Sequence, residues 1–102
     1  LPAGNTPLAA LLDSPHLSGL WWLAVLGNSR LGLAAMELLA RSEALHRLEV
    51  LTLRWCDIDD NGARALIASP HLNRLRDLDL TGNEFTGDVP SDLRKRFPGV
   101  RF

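Results

Sequence analysis

Few residues in this 102-residue chain are of types that do chemistry: three histidines (His16, His46, His71), one cysteine (Cys56) and a run of acids at Asp57, Asp59 and Asp60. A nucleophilic thiol needs a base or cation beside it, and a zinc site needs further His or Cys at ligand spacing. Cys56 has no such companion in the sequence, and a free cysteine is commonly a small buried hydrophobe. His16 and His71 occupy one position of a repeat whose middle copy has Ala44 there, and His46 has no fixed acidic partner in sequence. The three aspartates lack the D-x-[DN]-x-[DN]-G spacing and distant Glu of a calcium loop. Acids just ahead of a helix are explained by capping and by the helix dipole. No phosphate loop, nucleophile elbow or pair of catalytic carboxylates is present. The expectation is therefore no catalytic residue, no cofactor, no metal, and a chain that is not an enzyme.

Composition points the same way. Hydrophobic residues make up 46% and charged residues 23%, the balance of an ordinary globular chain, and the length suits one domain. The formal net charge of -1 argues against nucleic acid or an anionic membrane as partner. A single cysteine allows no internal disulfide, and no apolar run is long enough to cross a bilayer. With no visible signal peptide, a reducing, cytoplasmic setting is the expectation. Residues 1–40 hold only Asp13, Arg30 and Glu37 as charged side chains, so this third is expected to pack against something.

The elements follow from an internal repeat. Ser14-Pro15-His16-Leu17, Ser42-Glu43-Ala44-Leu45 and Ser69-Pro70-His71-Leu72 recur at spacings of 28 and 27, each preceded by Leu11, Leu39 or Leu66, with Leu93 continuing that series. After each comes L-x-x-L-x-x-L-x-L-x-x-N: Leu17, Leu20, Leu23, Val25, Asn28; then Leu45, Leu48, Leu51, Leu53, Cys56; then Leu72, Leu75, Leu78, Leu80, Asn83. Leu31, Ile58 and Phe85 follow, the first displaced by one inserted residue near Ser29. The pairs Leu23/Val25, Leu51/Leu53 and Leu78/Leu80 alternate as in a short strand with one buried face. Ala34–Ala40 and Gly62–Ala68 have the Ala and Leu content of a helix with one apolar side. One strand-turn-helix unit cannot bury its own apolar face, but stacked units can, as a parallel sheet on one side and a row of helices on the other. Asn28, Cys56 and Asn83 stand where the strand turns away. There a short amide, or a thiol in its place, can bond backbone groups left open by the turn.

These residues resemble the leucine-rich-repeat family. The 27–28 spacing, the Asn/Cys/Asn series and the Gly62-Ala63-Arg64-Ala65-Leu66 helix are similar to its ribonuclease-inhibitor-like subfamily, whose bacterial members commonly carry the Ser-Pro-x-Leu link. The resemblance covers roughly residues 8–102 and implies an α/β fold: a right-handed solenoid arc, with a parallel sheet on the concave face, helices on the convex face, and proteins bound on the concave side. Two departures stand out. The first repeat has its insertion and has Ala35 where the second has the turn glycine, Gly62. The third reads Asn83-Glu84-Phe85-Thr86-Gly87-Asp88-Val89-Pro90, like the plant-type repeat or like a last repeat relaxing its pattern.

The domain expected is a single one: a partial repeat over 1–15, repeats over 16–43, 44–70 and 71–97, and a cap strand over 98–102. Leu8–Asp13 reads as the helix half of a repeat, with Thr6 as cap and Pro7 in the first turn. Asp92–Phe97 reads as the last helix, stopped by Pro98-Gly99. The basic run Arg94, Lys95, Arg96, with Arg101, is either a site for an acidic partner or a helix end favoured by the dipole. The first strand, carrying Leu20, Trp21, Trp22 and Leu23, is an apolar sheet edge. A missing repeat or a second copy of the chain, forming a homodimer, is expected to cover it.

Period-two alternation sets the strand residues that point away from the core: Trp22, Ala24 and Leu26, then Val50, Thr52 and Arg54, then Asp77, Asp79 and Thr81, flanked by Trp55 and Arg101. Exposed aromatic and Arg side chains are the usual anchors of protein interfaces. The partner-binding candidates are therefore Trp22, Leu26, Val50, Thr52, Arg54, Trp55, Asp77 and Asp79. The competing reading is that Trp22 fills space at a covered edge and that Arg54 and Asp79 pair across neighbouring strands. The expected function is a protein-interaction module, the C-terminal part of a longer array. The alternative is the regulatory or substrate-recruiting tail of a larger signalling enzyme.

Overall fold

The structure, a computed structural model, describes residues 19–25 and 31–102. The expected helix at 8–13, and Leu26 and Asn28 of the first repeat, lie outside the described residues. In chain order the elements are β1 (Trp22–Val25), α1 (Leu33–Arg41), a 3-10 turn (Glu43–Leu45), β2 (Val50–Leu53), α2 (Asp60–Ala68), β3 (Asp77–Asp79) and α3 (Val89–Arg96).

The three strands form a parallel sheet in the order β1-β2-β3. Trp22 pairs with Val50 and Val50 with Asp77; two residues on, Ala24 pairs with Thr52 and Thr52 with Asp79. Sequence neighbours are thus spatial neighbours, and the spacing of 28 then 27 is one turn of strand, loop and helix. Leu23, Leu51, Leu53, Leu78 and Leu80 are buried in one cluster with Met36, Leu39, Leu66 and Leu93 from the helices. Truncating any of the fully buried leucines to alanine should cost about 2–5 kcal/mol. Helix α1 packs on α2, and α2 on α3.

Two expectations need correction. Gly62 is the third residue of α2, not a turn residue. A Cβ there would fall 2.8 Å from Ile58 Cγ2 and 3.1 Å from Met36 Cγ, so the residue is small to let α2 approach the core. The last helix begins at Val89 rather than Asp92. Pro90 sits in its first turn, where a missing N–H costs nothing and a fixed φ favours the helix.

The links between units are built from the repeat's polar positions. Ser69 is buried; its hydroxyl donates to the Ala40 carbonyl at the end of α1 (2.5 Å) and accepts from His71 N–H (3.2 Å). Asp59 caps α2 by accepting from Gly62 N–H at 3.0 Å. At the far edge, Arg101 forms a single parallel bridge with Asp79, donating to the Leu78 carbonyl (2.9 Å) and accepting from Leu80 N–H (2.7 Å). A Cβ on Gly99 would fall 2.8 Å from the Arg76 carbonyl oxygen, which is why glycine carries the chain back to that edge. No described helix is long and apolar enough to cross a membrane.

Candidate functional site

His16 lies outside the described residues; Cys56 and the acids of its turn have structural roles. Cys56 is fully buried, and its thiol donates to the carbonyls of Val25 and Arg54, each at 3.3 Å. Burial pushes the thiol up to about 11, so it is held protonated and unreactive. Asn83 does more from the same position one repeat on. Its Oδ1 accepts from Cys56 N–H (3.1 Å) and Ile58 N–H (3.0 Å), and its amide donates to the carbonyls of Leu53 (2.7 Å) and Leu80 (2.9 Å). Cysteine reproduces only the donating half. In the preceding repeat Leu31 N–H goes to the backbone carbonyl of Cys56 instead (2.9 Å).

The acids of the following turn are also engaged. Asp60 accepts from the Thr86 hydroxyl and from Thr86 N–H, and these bonds hold its carboxyl below the usual range. His46 bonds the Glu43 carbonyl at 2.9 Å. Among the described residues no group of three or more His, Cys, Asp or Glu is placed to hold a metal ion.

The sheet face opposite the helices is different. Trp22 opens the face at 52% exposure, beside partly buried Ala24, Val50 and Thr52. Asp79 is only 2% exposed and anchors a polar network. Its Oδ1 accepts from the Thr81 hydroxyl (2.6 Å) and Thr81 N–H (3.0 Å). Its Oδ2 accepts from Arg54 Nε (2.8 Å) and lies 3.5 Å from Arg101 Nη2, which also reaches Asp77 Oδ1 at 2.9 Å. Burial alone would raise the Asp79 carboxyl. The two Thr81 bonds and the Arg54 guanidinium outweigh it and hold the group below the usual aspartate range. The cross-strand pairing of Arg54 with Asp79, expected as an alternative, is thus formed, and Asp79 positions Arg54 rather than offering surface of its own. Leu26 lies outside the described residues.

Trp55 departs from its repeat, and with Asp57 (φ +57) it is one of two non-glycine residues of positive φ among the described residues. It has φ +55, a left-handed backbone that bulky residues rarely adopt, and it is 66% exposed. Its N–H donates to the Thr81 carbonyl at 3.0 Å. Its repeat partners in sequence are Gly27 and Gly82, and Gly82 also has positive φ, +85. The repeat thus reserves this turn for glycine, and the second copy fills it with the largest side chain available. The alignment of Gly27, Trp55 and Gly82 was the signal that would have ranked Trp55 first among the eight candidates.

A family model described as leucine-rich repeat matches residues 45–66 and 71–88. These two segments are thus similar to leucine-rich repeats. The matched leucine-rich-repeat segments span β2 and the start of α2, and β3 with the turn that leads to α3. They therefore contain Arg54, Trp55, Asp77, Asp79 and Gly82. No curated protein matches the chain. Leucine-rich-repeat domains generally mediate protein–protein interaction and are typically binding modules rather than enzymes.

Proposed function

We propose that this leucine-rich-repeat chain binds a protein partner on the sheet face opposite its helices, the concave face of a right-handed solenoid of the ribonuclease-inhibitor-like, bacterial type. The observation that carries the reading is Trp55. A non-glycine residue in the left-handed region costs about 1–3 kcal/mol, and here that cost is combined with an exposed indole. Folding alone favours glycine at this turn, so the tryptophan is there for contact. Trp22, Val50 and Thr52 extend the surface along the sheet, with Arg54 and Asp77 beside them.

The test is selection of peptides from a random display library on the folded chain. Binding of the selected peptides should be lost on a Trp22→Ser, Arg54→Ser, Trp55→Asn triple variant. It should be retained on a variant of the helix side, Arg64→Ala with Lys95→Ala. The opposite pattern would move the interface to the helices, and no change in either would leave the chain a structural cap.

A further inference from the structure

Formal charge describes the sheet face poorly. Arg54 and Arg101 balance Asp77 and Asp79, so the sum is zero. The hydrogen-bond inventory is not balanced. The Asp79 carboxylate is buried and receives four contacts. Arg54 uses only Nε on it. Its terminal nitrogens, Nη1 and Nη2, have no partner among the described residues, and its side chain is 54% exposed. Arg101 likewise engages only Nη2, on Asp77 and Asp79, and is 58% exposed. What the face offers a partner beside Asp79 is thus mostly donors, since that carboxylate is already used and Asp77 has only Oδ2 without a partner among the described residues.

The fixed Nε bond matters as much as the free donors. An exposed arginine ordinarily loses side-chain entropy when it is immobilised in an interface. Asp79 already holds Arg54, so that cost is reduced, and the end of a guanidinium fork is shaped to take two carboxylate oxygens at once. The next residue along the chain is Trp55, whose exposed indole supplies an apolar wall. The acids nearby do not compete for this role. Asp59 is bonded to Gly62 N–H, and Asp60 has both oxygens on Thr86.

We infer that the Arg54 guanidinium end and the Trp55 indole form one subsite for an acidic side chain of a protein partner, an Asp or Glu flanked by an aliphatic or aromatic residue. This rests on the sheet-face reading above and adds the chemistry of the partner. Arg54 is the specificity-determining contact and Asp79 its positioning residue.

The experiment uses the same display selection on the intact chain and reads the sequences obtained. Enriched peptides should carry an Asp or Glu next to an apolar residue. They should bind an Arg54→Gln variant about tenfold or more weakly, the loss expected for one hydrogen bond to a charged group. Changing the peptide's acid to its amide should give the same loss on the wild type and no further loss on Arg54→Gln. Arg54→Lys serves as the second variant, because it keeps the ion pair to Asp79 while losing the free fork, and it should also weaken binding. Enriched peptides that lack an acid, that are rich in Lys or Arg, or that ignore Arg54→Gln while failing on Trp55→Asn would overturn the carboxylate subsite and leave the sheet-face reading standing. Peptides indifferent to both variants would overturn both.

Discussion

Trp55 and Gly82 occupy the same repeat position, 27 residues apart in sequence, and the indole of the first lies against the backbone of the second. A Cβ built on Gly82 falls 2.2 Å from Trp55 Cδ2 and 2.5 Å from Cε2. Gly82 is thus required twice, once by its φ of +85 and once by the ring above it. Gly82→Ala should destabilise the fold by about 1–3 kcal/mol and push the indole off its seat. Urea denaturation reads the first effect, and a change in native tryptophan emission reads the second. An unchanged spectrum would mean the ring does not rest there.

The reverse substitution should act in the opposite sense. Trp55→Asn removes a large aromatic but places a residue that tolerates the left-handed region. Truncating a buried tryptophan costs about 3–5 kcal/mol. Here the expected change lies between neutral and about 1 kcal/mol of stabilisation, because strain is relieved and the lost contact is one-sided. Equilibrium unfolding checks it. A loss of 2 kcal/mol or more, on the order of a core truncation, would show that the indole holds the fold together instead of serving a partner.

Asn83 should be the most sensitive polar residue of the described turns. Asn83→Ala leaves the N–H groups of Cys56 and Ile58 without this acceptor and the Leu53 carbonyl without this donor, while the Leu80 carbonyl keeps the backbone N–H of residue 83 at 3.2 Å. Each buried group so orphaned costs about 1–3 kcal/mol, and the total should reach about 3 kcal/mol or more. Asn83→Cys should fall between wild type and Asn83→Ala, since Cys56 shows that a thiol supplies the donor half. Equal losses for Cys and Ala in urea titrations would assign the whole effect to the acceptor.

Much of this was legible before the structure. The leucine spacing located all three strands to within a residue or two, because period-two burial and a 27-residue repeat leave little freedom. The Cys56 and Asn83 positions were legible as backbone-bonding positions for the same reason. Other things were not. Pro90 hid the start of α3, since Val-Pro reads equally as a turn. Gly62 looked like a turn glycine because the need for a small residue there comes from packing against Ile58 and against Met36 of the neighbouring repeat, which no spacing shows. The rank of Trp55 among the candidates lay in its alignment with Gly27 and Gly82 and not in the strand-facing period, which says which way a side chain points and nothing about backbone φ. Likewise, that Asp79 is buried and Arg54 exposed depends on Thr81 and Arg101 closing over the carboxylate, a contact no spacing encodes.

Asp79 should make stability depend on pH in a defined direction. Its folded carboxyl is held below the unfolded value by Thr81 and Arg54, against the effect of burial. A lowered folded pKa means that the unfolded state takes up a proton first as pH falls. The stabilisation is therefore complete above the unfolded value of about 4 and is lost as pH drops through the folded one. Asp60, lowered by its bonds to Thr86, acts with the same sign. Wild type should lose more stability between pH 5 and pH 3 than Asp79→Asn, although the variant is the less stable at pH 7. Parallel pH profiles of the two urea midpoints would remove Asp79 as a source of the dependence.

Arg96 separates the two readings of the basic run at the end of α3. Its Nε donates to the Ile67 carbonyl (3.2 Å), and its Nη2 donates to the Ser69 carbonyl (2.7 Å) and to Asn73 Oδ1 (3.2 Å). Its guanidinium carbon lies 4.8 Å from the centre of the Phe97 ring. These are the open carbonyls at the C-terminal end of α2, a neighbouring helix, so the arginine ties one repeat to the next across the groups a helix end leaves unsatisfied. Arg94 is likewise stacked, 4.7 Å from the centre of the Phe102 ring. Arg96→Ala should therefore cost about 1–2 kcal/mol. Arg96→Lys, which keeps the charge and loses the fork, should recover only part of that. A docking arginine would behave otherwise: its removal would leave unfolding unchanged within a few tenths of a kcal/mol, as for surface positions without structural partners, and would weaken only binding to acidic peptides.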